Sequence, residues 1–153
     1  MSRHRTLRGL VHGLGHSLGM KRLELDEEGV CALSFDERII VHIAAAEPGG
    51  TAMFYAPLGT IPSSRKAELH ERMLAANFQV AAHNLALSLD GGGAPVLLSH
   101  TRVEHLSNAE FEQVVTHFVE AAETWLRELE ASPAPEVPVA EPFRFDPYAS
   151  MRA

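Results

Sequence analysis

The sequence predicts an α+β fold in which three helices accompany an antiparallel twisted sheet of about five strands, in the order α-β-β-β-α-β-β-α. Three observations lead to this prediction. Short runs alternate apolar and polar residues with the period of a pleated strand, and the turns between them are short enough to join antiparallel neighbours. Three longer segments repeat their apolar residues every three or four positions, as amphipathic helices do. The chain length of 153 residues suits one folded core.

The first predicted helix covers residues 6–18 and carries one apolar stripe. The members of this stripe are Leu7, Leu10, Val11, Leu14 and Leu18. Three glycines interrupt the helix, and each costs about 1 kcal/mol relative to alanine in a helix interior. We therefore expect this helix to depend on docking against the sheet or against a partner. His12 and His16 lie four residues apart, but no carboxylate or third ligand is nearby, so their spacing indicates a polar helix face rather than a metal site.

Three strands are predicted next, between Leu23 and Pro62. Apolar and polar residues alternate from Val30 to Phe35 and from Ile39 to Ala44, and a third run extends from Thr51 to Leu58. Acidic residues, glycine and proline occupy the short connections between these runs, as they do in turns. The three strands should therefore form an antiparallel meander.

A second helix and a hairpin are predicted after this meander. Pro62-Ser63-Ser64 is typical of a helix start, with a serine available as the N-cap, and the helix should run over residues 65–79. Its alanines leave a slim surface suited to close packing against another element or a second subunit. Leucines then alternate from Leu85 to Asp90, three glycines turn the chain, and the segment from Pro95 to Arg102 returns as the partner strand.

The last helix has the clearest start in the sequence. Ser107 and Glu110 form a capping box, while Leu106 and Phe111 occupy the positions of a hydrophobic staple. A long apolar stripe follows and predicts core packing. Five prolines follow Ala131 and forbid a regular helix or a central strand. We therefore divide the chain into a folded domain, residues 1–130, and a Pro-rich, disordered tail, residues 131–153.

Composition and charge exclude several classes of function. The net charge of the chain is −7. Five basic residues and no acidic one precede Glu24, so the net charge of the remaining residues is more negative than that of the whole chain. Such a body argues against nucleic acid as the main partner. The single cysteine, Cys31, excludes an internal disulfide and multi-cysteine metal sites, which fits a reducing cytoplasm. No apolar run is long enough to predict membrane insertion.

No catalytic set is recognisable in the sequence. The glycines at 91–93 lie between two strands, where a hairpin turn is the better interpretation than a phosphate-binding loop. The histidines are scattered over different elements, and neither a carboxylate pair nor a metal cluster is present. The sequence therefore predicts a binding protein with no catalytic residues, metal or cofactor. The alternative is a small α+β enzyme or ligand-binding domain that uses Cys31 and a histidine.

Several stretches, in this order, resemble the class I chaperones of bacterial type III secretion, the CesT-like (Tir chaperone) family. They are LGHSLGMKRLELDEEGVCALSFDE at 14–37, YAPLGTIP at 55–62, MLAANF at 73–78, LALSLD at 85–90 and FVEAAETWLREL in the last helix. Together they lie within residues 5–130. The tail beyond Ala131 is an extension that the resemblance does not explain.

The resemblance implies a homodimer of secretion-chaperone-like subunits that works in the bacterial cytoplasm without consuming nucleotide. Such proteins bind the N-terminal region of one or a few secreted effectors in non-globular form, keep them soluble and present them to the secretion ATPase. In this chain the resemblance implies cargo contacts through Leu7, Leu10, Val11, Leu14 and Leu18, and through exposed apolar positions of the neighbouring strands. It implies a dimer interface that contains Leu69, Met73, Leu74, Phe78, Leu85 and Leu87. A secretion regulator with the same fold remains an alternative.

Overall fold

The computed structural model describes residues 6–46 and 50–131, and these form three α-helices and one five-stranded sheet. The predicted α+β class and the predicted order of elements are confirmed. In chain order the elements are α1 (Leu7–Ser17), β1 (Val30–Phe35), β2 (Ile39–Ala46), β3 (Thr51–Pro57), α2 (Lys66–Val80), β4 (Leu85–Leu89), β5 (Pro95–Arg102) and α3 (Asn108–Glu130). The predicted tail lies outside the described residues except for Ala131, so its separation from the folded domain stays a prediction.

The five strands are arranged in the order β1-β2-β3-β5-β4, and every neighbouring pair is antiparallel. β1 and β4 are therefore the two edges of the sheet. Residues directly opposite each other on paired strands share a face, which places Ile43 beside Phe54 and Leu87 beside Leu97. This is the inner face, where the core lies.

The core forms between the inner face of the sheet and the helices. Phe54 of β3 is fully buried, and its ring centre lies 6.0 Å from that of Phe111 and 5.8 Å from that of Phe118. Both of these partners belong to α3, whose long apolar stripe is buried as predicted. Within the described ranges, no helix is long and apolar enough to cross a membrane.

Glycine lets α1 approach its neighbours closely. A Cβ atom added at Gly15 would lie 2.6 Å from the Cβ of Leu23, closer than real carbon atoms approach, so glycine is required there. Gly9 is different, because its added Cβ would meet only the Thr6 hydroxyl at 3.5 Å. The Thr6 hydroxyl oxygen caps the helix by accepting a hydrogen bond from the Gly9 N–H at 3.2 Å. The glycines that weaken α1 as an isolated helix therefore include one that its packing needs.

The two remaining helix starts differ from each other. The capping box of α3 is confirmed: the Ser107 N–H donates to Glu110 Oε2 at 2.7 Å, and the Glu110 N–H donates to Ser107 Oγ at 3.2 Å. The predicted serine cap of α2 is wrong. Residues 63–65 form a 3₁₀ turn instead, Arg65 occupies the cap position, and no side chain caps the first turn.

Candidate interaction surfaces

The outer side of α2 exposes large apolar side chains. Phe78 is 89% exposed and Leu74 is 72% exposed, while Leu89, at the end of the edge strand β4, is 40% exposed. We call these three residues the α2–β4 surface. Large apolar residues that are exposed together mark interaction sites, because leaving them in water is unfavourable.

A groove of about 350 Å³ lies beside this surface, between α2 and β4. It is lined by His70, Met73, Leu74, Leu87, Ser88 and Leu89. The His70 Nε2 atom is buried and has no hydrogen-bond partner among the described residues. An apolar groove with exposed leucines at its rim can accept an apolar side chain of a partner.

The predicted dimer residues fall into two groups. Leu74 and Phe78 are exposed, as an interface with another subunit requires. Leu69, Met73 and Leu87 are buried within the protomer and belong to its core, and Leu85 is half-buried against that core. These four residues can support the α2–β4 surface from beneath, although Met73 and Leu87 also reach the groove. Leu89 continues the alternation of Leu85 and Leu87, so the strand period was a signal that could have added it.

Asn77 of α2 holds the middle of the edge strand. Its Oδ1 accepts a hydrogen bond from the Leu87 N–H at 2.7 Å, and its Nδ2 donates to the Leu87 carbonyl oxygen at 3.0 Å. Both groups of Leu87 that point away from β5 are thereby bonded. Sequence reasoning missed this residue, since no periodic pattern distinguishes an asparagine that pairs with a strand from one that faces water.

The predicted cargo residues of α1 are mostly buried. Leu7, Leu10, Val11 and Leu14 belong to the core and are at most 7% exposed. Leu18, directly after the helix, is 44% exposed, and Met20 beside it is 41% exposed. Contact between a partner and the four buried side chains would require α1 to move, whereas Leu18 and Met20 are accessible where they lie.

The edge of β1 is open along two residues. The Gly29 carbonyl oxygen accepts a hydrogen bond from the Ala45 N–H of β2. The backbone groups of Val30 point away from β2: its N–H donates to Asp26 Oδ1, and its carbonyl oxygen accepts from the Asp26 N–H. Since the backbone direction alternates along a strand, the N–H and carbonyl groups of Ala32 and Ser34 also point away from β2. In the described part of the chain, no strand pairs with them.

An exposed apolar side chain and a half-buried aromatic pair lie beside this open edge, on the outer face of the sheet. Ile40 is 49% exposed and lies directly opposite Ser34 in the register of β1 and β2. Further along β2 the His42 ring stacks on the Tyr55 ring, with centroids 4.4 Å apart and planes within 4°. An extended chain along the β1 edge would meet Ile40 on this face.

The cysteine does not have the character of a nucleophile. Burial, together with the nearby negative charge of Asp26, raises the pKa of the Cys31 thiol to about 11. At neutral pH the reactive thiolate is therefore on the order of one part in ten thousand. Among residues 6–46 and 50–131, no group of three potential metal-binding side chains comes together. The raised pKa of its thiol disfavours the enzyme alternative built on Cys31.

Comparison with protein families gives one match by sequence. Residues 9–126 match the model of the Tir chaperone protein (CesT) family, which is well over half of the chain. No individual curated protein matches the chain.

Comparison with solved structures finds the same fold in complexes. A chain in the ExsC–ExsE complex has a TM-score of 0.69 at 21% identity, over 82% of this chain and 97% of that one. A chain in the HopA1–SchA chaperone-effector complex has a TM-score of 0.65 at 18% identity, over 77% and 91%. A chain in the ExoU–SpcU complex from the type III secretion system of Pseudomonas aeruginosa has a TM-score of 0.59 at 20% identity, over 78% and 98%. At these identities the likeness concerns the fold.

Proposed function

The chain belongs to the Tir chaperone protein (CesT) family, and from this premise we propose that it is a cytoplasmic class I chaperone of type III secretion. The resemblance recognised in the sequence is thereby confirmed. In this proposal the protein binds the N-terminal region of one or a few effectors in non-globular form and keeps them soluble. It then presents them to the secretion apparatus, with the secretion ATPase as a further partner. Structures of the same fold solved as chaperone-effector complexes support this role.

The observation that carries the proposal is that two regions expose apolar side chains which no element of residues 6–46 and 50–131 covers. The α2–β4 surface is suited to a second copy of the chain. Burial of one phenylalanine or leucine side chain contributes about 1.5–3 kcal/mol, and a two-fold interface contains each residue twice. Leu74, Phe78 and Leu89 would therefore supply the apolar centre of a homodimer.

The second region is suited to cargo. The open backbone groups of Ala32 and Ser34 can pair with an extended segment, which would add a strand to the sheet at β1. Ile40 lies on the adjoining strand and can pack against an apolar side chain of that segment. Leu18 and Met20 offer further apolar contacts. In this proposal the buried residues Leu7, Leu10, Val11 and Leu14 act indirectly, by holding α1 in place.

Light scattering coupled to size-exclusion chromatography tests the proposal. The full chain is measured alone and after co-expression with N-terminal segments of secreted proteins encoded nearby. We expect a dimer that takes up one extended cargo chain. A monomer that binds none of these segments would contradict the proposal.

Two substitutions at one position then test the cargo edge. Ala32→Pro removes an N–H that faces away from β2, so strand addition should be blocked while the pairing of β1 with β2 remains. Ala32→Thr keeps this N–H and favours a strand, which makes it the matched control. Cargo uptake should be lost only in the proline variant, and dimerisation should be unchanged in both. Equal uptake by the two variants would exclude strand addition at this edge.

A further inference from the structure

The two edge strands of the sheet differ in how many of their outward backbone groups are already hydrogen-bonded, and the Asn77 side chain accounts for the difference. At β4, Leu87 is the third of five residues, and the Asn77 amide bonds both its N–H and its carbonyl. A neighbouring antiparallel strand would form the same two bonds with Leu87. At β1, Asp26 covers only Val30, and the outward groups of Ala32 and Ser34 have no strand partner in the described ranges.

We propose that Asn77 replaces a strand at the β4 edge and thereby selects which edge accepts an extended peptide. An unpaired strand edge is a general template for strand addition. With Leu87 occupied, a peptide cannot pair through the centre of β4, so strand addition is directed to β1. The part of this inference that concerns cargo rests on the proposed function, whereas the closure of β4 does not.

The same bonds fix how α2 is rotated about its axis. Around the helix, Asn77 lies about 40° from Met73 and about 60° from Leu74, between the buried and the exposed sides. Because its amide is bonded to β4, Met73 is held towards the core while Leu74 and Phe78 are held outward. Asn77 is thus a positioning residue for the α2–β4 surface as well as a barrier at the edge.

Hydrogen exchange of the Leu87 amide in the full chain tests the closure directly. Asn77→Ala removes the acceptor of this N–H, and its exchange should become about tenfold faster or more. Gln79→Ala is the matched control, because Gln79 is exposed on the same helix and makes no side-chain hydrogen bond within the described ranges. It should leave the Leu87 amide unchanged. Unchanged exchange in Asn77→Ala would overturn the proposal.

A second variant distinguishes loss of the hydrogen bonds between Asn77 and Leu87 from a general loosening of α2. Asn77→Asp keeps an acceptor for the Leu87 N–H but loses the donor to the Leu87 carbonyl. We expect slower exchange of the Leu87 amide than in Asn77→Ala. Should the alanine variant fail to fold, the aspartate variant still decides, because exchange as fast as in an unprotected amide would overturn the proposal.

A peptide probe tests the selection of the edge. A spin-labelled synthetic peptide with the β4 sequence LALSLD, flanked by lysines, is added to isotope-labelled protein. In the wild type we expect broadening of amide signals to be centred on Ala32 and Ser34, and in Asn77→Ala we expect a second centre of broadening at Leu87. Broadening at Leu87 in the wild type would overturn the selection. If neither edge binds the peptide, strand addition at β1 fails as part of the proposed function, and the exchange result still decides whether Asn77 closes β4.

Discussion

α1 carries four large apolar residues at helical spacing and α2 carries five, yet α1 buries all four and α2 leaves Leu74 and Phe78 on its surface. Successive residues of a helix are about 100° apart, so the apolar residues of α1 fall within an arc of about 100°. In α2, Leu69 and Met73 lie on one side, whereas Leu74 and Phe78 lie about 140° and 180° around the helix from Leu69. The burial of these residues follows that division.

The angular position of apolar residues around a helix, and not their number, therefore separates core residues from interface residues. A narrow stripe such as that of α1 can be covered completely by the sheet and α3. A helix that is apolar on two sides needs a second layer, and in α2 no described element supplies it.

Leu10→Ala should destabilise the protomer by about 3–5 kcal/mol, because Leu10 is fully buried and its truncation leaves a cavity. Leu18→Ala, in the exposed part of the same stripe, is the control and should change stability by less than about 1 kcal/mol. Urea denaturation of the two variants measures both values. Equal, small changes would mean that α1 is not part of the core, and that its stripe is available to a partner.

Phe78→Ala should act on the dimer rather than on the protomer. The side chain is exposed, so the stability of the protomer should change by no more than about 0.5 kcal/mol. Alanine still buries its Cβ, so each of the two phenylalanine side chains in a two-fold interface would lose about 1–2 kcal/mol, which raises the dimer dissociation constant roughly thirty- to a thousandfold. Sedimentation equilibrium measures this constant.

Gln79→Ala, at the next position of α2, serves as the control for Phe78→Ala. Its dissociation constant should stay near that of the wild type. If Phe78→Ala also leaves the constant unchanged, the α2–β4 surface is not the dimer interface.

The order of elements was predictable because it depends on local signals: periodicity, turn residues and the capping box at Ser107. It was harder to predict which apolar residues are buried in the core and which are exposed on the interaction surfaces. The resemblance assigned the whole stripe of α1 to cargo, and only the structure shows that packing buries Leu10 and Val11. The bonds from Asn77 to Leu87 depend on how α2 crosses the sheet edge, which no local pattern in the sequence encodes.

Two glycine-to-alanine substitutions in α1 should change the stability of the protein in opposite directions. Gly15→Ala would force a Cβ against Leu23 and should destabilise the protein by about 1–3 kcal/mol. Gly9→Ala meets only ordinary contact with the Thr6 hydroxyl and should stabilise it by about 0.5–1 kcal/mol, because alanine favours a helix. Thermal unfolding of both variants provides the comparison. Stabilisation by Gly15→Ala would show that α1 does not pack against Leu23 as closely as described.

Cys31, on β1, should produce an effect that is absent at neutral pH and appears only at alkaline pH. Burial and, to a smaller extent, the negative charge of Asp26 raise the pKa of its thiol from an ordinary value of 9.0 to about 11. Between these two values the unfolded chain loses the thiol proton and the folded protein keeps it, so the free energy of unfolding should fall as pH rises from about 9 to 11. The urea midpoint, measured against pH, should therefore fall more steeply in the wild type than in Cys31→Ser.

Cys31→Ser and the reactivity of the Cys31 thiol together test the enzyme alternative. A protonated, buried thiol reacts slowly with iodoacetamide, so at pH 8 labelling of the native wild type should be much slower than labelling in urea. Because Cys31 faces the core, Cys31→Ser should retain dimerisation and cargo uptake. Rapid labelling of the native protein, together with loss of a measurable turnover in Cys31→Ser, would instead identify an activated nucleophile on β1.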